Sequence, residues 1–107
     1  MIHCPAASIG PGSLHRGGTA GAACLVRAYD DGCRAADYTL SSFGVDTIHS
    51  RTFTLSKNGK TCVVRIVESF RVVPQKPHET AHYACTRLRP YVADHCTPKA
   101  TISLTKF

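Results

Sequence analysis

The chain has 107 residues, enough for one domain and one modest core. Hydrophobic residues make up 43%, but aromatics only 7% and Trp is absent, so the core must rest on Val, Ile, Leu, Ala and half-cystine. The formal charge is +6 and one-sided: residues 1–46 hold three basic and four acidic side chains, a net −1, and residues 47–107 hold ten and three, a net +7. No apolar run approaches the length of a membrane span. A basic half fits an anionic surface or an acidic protein as partner, and equally a solvated basic face.

Six cysteines in so short a chain read as three disulfides formed in an oxidising compartment. Cys4, Cys24, Cys33, Cys62, Cys85 and Cys96 include no C-x-x-C pair, which argues against a structural zinc ribbon or knuckle. Met1-Ile2-His3-Cys4 has neither the charged nor the apolar region of a secretory signal, so the chain reads as a mature secreted form. The only Asn, Asn58, is not in a glycosylation acceptor.

In chain order, residues 1–21 are Gly-, Pro-, Ala- and Ser-rich, without a period, and read as an irregular arm tethered by Cys4. Residues 22–107 then form a single α+β sandwich. AACLVRAY (22–29) reads as a strand with Cys24, Val26 and Ala28 on one face. Asp30 or Asp31 can cap a helix in which Cys33, Ala36, Leu40 and Phe43 fall at helical spacing, with Gly44 as its stop. HSRTFTLS (49–56) is a second strand. Lys57-Asn58-Gly59-Lys60 is a hairpin signal, Asn-Gly suiting a type I′ turn, and TCVVRIVESF (61–70) is the partner strand. Pro77 opens a second helix with Ala81, Cys85, Leu88 and Val92 as its stripe, broken at Pro90. ATISLTKF (100–107) is the last strand.

This βαββαβ order is the split βαβ, or ferredoxin-like, plan: two helices on one face of a four-stranded antiparallel sheet. Right-handed crossovers place the strands four, one, three, two. In that topology Cys33 and Cys62 lie at one end of the sheet, Cys24 faces Cys85, and Cys96 is left for Cys4. The expected disulfides are therefore Cys33–Cys62, Cys24–Cys85 and Cys4–Cys96.

Over residues 22–107 the pattern resembles the alpha subunit of the virus-encoded killer toxin of smut fungi and the killer-toxin-like effectors of plant-pathogenic fungi. The resemblance lies in Cys33 opening a helix, in Lys60-Thr61-Cys62-Val63-Val64 delivered by a hairpin, in HYACTRL around Cys85, and in Cys96 before the final strand. The toxin subunit has further cysteines near its first strand, where this chain has only Cys24. The resemblance implies secretion and action on another cell or organism, and carries over no catalytic residue and no cofactor.

Pro77-His78-Glu79-Thr80-Ala81-His82 contains His-Glu-x-x-His, the pattern of a zinc hydrolase whose two ligands lie one helical turn apart. Against it stand Cys85 and Leu88 where the extended form has Gly and His, the lack of a downstream Glu ligand, and Pro77, which puts His78 in the first helical turn. His49, His82 and His95 include the groups for a ribonuclease-like acid–base pair, but no spacing enforces it. The uncovered sheet face is expected to carry Leu25, Arg27 and Tyr29 beside Val63, Arg65 and Val67. Tyr29 alone is too few aromatics for base stacking, so nucleic acid is disfavoured and a protein interface through Arg27, Tyr29 and Arg65 is favoured. The sequence thus reads as a secreted, monomeric, non-enzymatic effector or toxin-like protein that binds a host or target-cell component. Its alternative is a small zinc hydrolase built on His78, Glu79 and His82.

Overall fold

The computed structural model describes residues 1–10 and 15–107. Three short strands lead in: β1 (Ile2–His3), β2 (Ala7–Ile9) and β3 (His15–Arg16). One helix follows, α1 (Ala20–Asp30). The rest is strand: β4 (Ala36–Phe43), β5 (Thr47–Asn58), β6 (Thr61–Val72), β7 (His78–Arg89), β8 (Val92–Thr97) and β9 (Ile102–Ser103). They form one sheet in the order β3-β2-β4-β5-β6-β7-β8-β9, with β1 beside β2 on the same edge of β4. From β4 onward each strand pairs antiparallel with the next, and β1 and β2 join β4 in parallel.

The two-helix ferredoxin-like expectation is therefore overturned: the fold is mostly β, with one helix among the described residues and a mixed sheet. The misassignments exchange neighbouring elements. Residues 22–29 were expected to be a strand and lie in α1, where Ala22, Leu25 and Ala28 make a buried stripe at three-residue spacing. Four alanines and no proline favour that helix. It stops where Gly32 takes φ +75° and the Arg34 amide donates back to the Ala28 carbonyl at 2.9 Å, a C-terminal wrap open to glycine at little cost. The expected helix over 33–43 is β4, in which Ala36, Tyr38 and Leu40 are buried in strict alternation. The expected helix after Pro77 is β7 and β8, joined by a two-residue turn at Pro90-Tyr91, with Tyr91 at φ +63°. The expected last strand shrinks to Ile102–Ser103.

The expected β5–β6 hairpin is present, one residue out of step. Asn58 pairs with Thr61, so the turn residues are Gly59-Lys60, and Gly59 at φ +67° fits a type II′ turn rather than I′. The described residues of the expected irregular arm, 1–10 and 15–21, supply β1, β2, β3 and the start of α1, and residues 11–14 lie outside the described ones.

Cys33–Cys62 forms as expected, whereas Cys4 pairs with Cys24 and Cys85 with Cys96. The reason is topological. With Cys24 on α1, the arm is the segment within its reach, and Cys85 and Cys96 are opposite residues of the β7–β8 hairpin.

The main core gathers on one sheet face. Tyr38, Leu40, Phe53, Leu55, Val64, Ile66 and Cys85 point to it, under Leu25 of α1 and Leu104 of the C-terminal segment, all essentially inaccessible. The Tyr38 and Phe53 rings stack at 5.5 Å between centroids. Burying each such side chain is worth about 1.5–3 kcal/mol. The opposite face carries Thr39, Ser41, Ser50, Thr52, Thr54, Arg65, Val67 and His82, placed there by the strand registers.

Candidate functional site

The residues expected to share a binding surface are separated. Arg27 is exposed on α1, and Tyr29 on the same helix is half-buried, its hydroxyl donating to the Thr86 carbonyl at 3.3 Å. Arg65 is exposed on β6, on the sheet face away from the core, opposite Thr54 and Ala84. A helix where a strand was expected removes Arg27 and Tyr29 from that face.

The His-Glu-x-x-His segment is strand, not helix, and its register undoes the zinc geometry. Glu68 pairs with Ala81 and Ser69 with Glu79, leaving Thr80 as a one-residue bulge. His82 faces outward opposite Val67, while His78 lies opposite Phe70 on the core face, the two rings 6.0 Å apart. The two histidines thus point to opposite sides of the sheet and cannot hold one ion. The other histidines are equally dispersed. His49 stacks on Phe70 at 4.6 Å on the core face of β5, and His95 is exposed on β8 at φ +54°. His49, His82 and His95 are not brought together.

The structure assembles a different surface, at the end of the sheet where the β4–β5 and β6–β7 loops meet. The Val73 amide donates to the Asp46 carbonyl at 2.8 Å, which ties the two loops together, and the Gly44 amide donates to the Thr47 carbonyl at 2.8 Å, which closes the β4–β5 loop. Of the seven large hydrophobics exposed among the described residues, Phe43, Val45, Val72 and Val73 lie at this end, with Val45 fully exposed, while Phe107 lies over Arg51 on the core face. Beneath the tip, on the outward face, Phe43, Ile48, Ser50, Ser69, Arg71 and Pro77 line an open hollow of about 360 Å³. Apolar walls, two hydroxyls and one guanidinium suit an apolar side chain next to a carboxylate.

Sequence reasoning missed this surface because Phe43 was assigned to a helical core stripe and Val72-Val73 fell outside every element read. The readable signal was a run of apolar residues beside turn residues, Phe43-Gly44-Val45-Asp46 and Val72-Val73-Pro74, at the two ends of long strands.

Arg51 is the one buried charged residue among those described, and Arg87 and Arg89 flank Asp94. Three disulfides fit folding in oxidising surroundings, and no helix is long and apolar enough to cross a membrane. Compared with known families, curated proteins and solved structures, the chain matches none. What can be stated is the class: a small, mostly-β protein stapled by three disulfides.

Proposed function

We propose that this is a secreted, non-enzymatic binding protein that acts on a protein of a host or target cell, in the manner of killer-toxin-like effectors. One observation carries the reading: four exposed large hydrophobics, Phe43, Val45, Val72 and Val73, collect where the β4–β5 and β6–β7 loops abut. Monomeric proteins seldom leave such groups together, and those that do use them for contact. Arg71, in the hollow beside them, supplies specificity for an acidic group on the partner.

The test is a titration of labelled protein on target-cell membranes and walls, from plant and from fungal cells. A Val45→Asp, Arg71→Ala variant should keep its disulfides and circular dichroism and bind at least about tenfold more weakly, the loss of one anchor and one charge contact. A Lys57→Ala, Lys60→Ala variant, altered at the opposite end of the β5–β6 hairpin, should bind like wild type. If the second variant loses binding and the first keeps it, the contact surface lies at the hairpin tip.

A further inference from the structure

Residues 78–83 of β7 are hydrogen-bonded to β6 on one side only. The β7–β8 pairing begins at Ala84, opposite Thr97, so His78 to Tyr83 face no strand on the other side among the described residues. None of the backbone hydrogen bonds outside regular pairing reaches these residues either. An edge of this length is a template for another strand, and native proteins generally blunt it or use it.

We propose that this edge pairs with the same edge of a second copy, antiparallel about a two-fold axis, to give a weak dimer with one continuous sheet. The sequence on the edge is self-complementary in one register. With the axis between Thr80 and Ala81, Glu79 meets His82 of the second copy, His78 meets Tyr83, and Thr80 meets Ala81, each pair occurring twice. The faces agree as well. Glu79 and His82 are outward, opposite Ser69 and Val67, and His78 and Tyr83 are on the core side, opposite Phe70 and Ile66.

A slip of one residue breaks this match. It sets core-side His78 against outward His82 in one direction, and outward Glu79 against core-side Tyr83 in the other. The bulge at Thr80 lets Glu79 and His82, three residues apart, share the outward face, so the axis falls between two residues rather than on one. Opposite-charge and aromatic cross-strand pairs are the interactions that fix register in antiparallel sheets. Six paired residues per copy form a contact smaller than that of a permanent dimer, so association depends on concentration.

The experiment is sedimentation velocity of the full chain over micromolar to millimolar concentrations, with intact disulfides and unchanged circular dichroism confirming the fold of each variant. Wild type should shift from monomer to dimer as concentration rises. Glu79→Lys sets Lys against His82, and His82→Glu sets two acids opposite each other, so each should weaken the dimer by about tenfold from two lost pairs. The double variant, Glu79→Lys with His82→Glu, sets opposite charges across the axis and should recover dimerisation. A wild type that stays monomeric throughout overturns the proposal. So does a double variant no better than the singles, because an edge that recruited an unrelated extended peptide would show no such rescue.

Discussion

Arg51 on β5 and Glu68 on β6 are directly opposed, and the guanidinium reaches the carboxylate twice, through Nε at 2.9 Å and through Nη2 at 2.8 Å. The remaining Nη1 donates to the carbonyls of Ser103 and Lys106 at 2.8 and 2.9 Å, and the group lies 4.6 Å above the Phe107 ring. The pair is a clasp holding the C-terminal segment onto the sheet. Glu68→Ala leaves a largely buried cation without its partner and should cost about 2–3 kcal/mol. Arg51→Met with Glu68→Met removes both charges and should cost less than Glu68→Ala alone, while the freed tail becomes faster to trim with carboxypeptidase. Equal midpoints in urea for the single and double variants would mean that the pair is not coupled.

Tyr38 is 1% exposed, and its hydroxyl donates to the Leu104 carbonyl at 2.8 Å. Burial disfavours the phenolate and raises its pKa above the ordinary 10.0. A raised value in the folded state contributes stability that is complete below the unfolded pKa and is lost as pH rises through the folded one. The urea midpoint should therefore fall above about pH 10. Tyr38→Phe should cost about 1 kcal/mol at neutral pH, the carbonyl losing its donor. It should also flatten the alkaline limb, and an unchanged limb would remove Tyr38 as its cause.

Gly21 sits in the first turn of α1, where a Cβ would run into the Pro5 carbonyl and the Tyr38 ring. The helix, the arm and β4 meet here with no room for a side chain. Gly21→Ala should lower stability by about 1–3 kcal/mol through overpacking, despite the better helix propensity of alanine. Thermal melts of this variant should fall, whereas propensity alone would raise them.

Peptide mapping without reduction should recover Cys4–Cys24, Cys33–Cys62 and Cys85–Cys96. The loops closed span 20, 29 and 11 residues, so chain entropy makes each bridge worth about 3–4 kcal/mol, with Cys33–Cys62 marginally the largest. Replacing both members of that pair by Ser should lower the melting temperature more than replacing Cys85 and Cys96.

The parts legible in the sequence were those fixed by local chemistry. Asn58-Gly59 between two alternating strands announced the β5–β6 hairpin, and the six cysteines announced three bridges. The rest failed where two periods fit the same letters. Over residues 33–43, Cys33, Ala36, Leu40 and Phe43 satisfy a helical spacing, while Ala36, Tyr38 and Leu40 satisfy a strand, and only the sheet partners decide between them. Around α1 the reverse held: one β-branched residue, Val26, outweighed an alanine-rich helix in the reading. Two exchanged elements were enough to move Arg27 and Tyr29 off the sheet face and to misassign two disulfides. The apolar tip was invisible because its residues come together only through the contact of two loops far apart in the chain.

Deleting a residue from the middle of a strand ordinarily turns every side chain beyond it to the wrong face. β7 is an exception, because Thr80 is already surplus to the ladder. Its removal would join Glu79 to Ala81, keep Ser69 opposite Glu79 and Glu68 opposite Ala81, and leave each neighbouring side chain facing where it does now. This strand therefore tolerates a one-residue shortening at the bulge, where either Thr80 or Ala81 can fill the single place opposite Glu68.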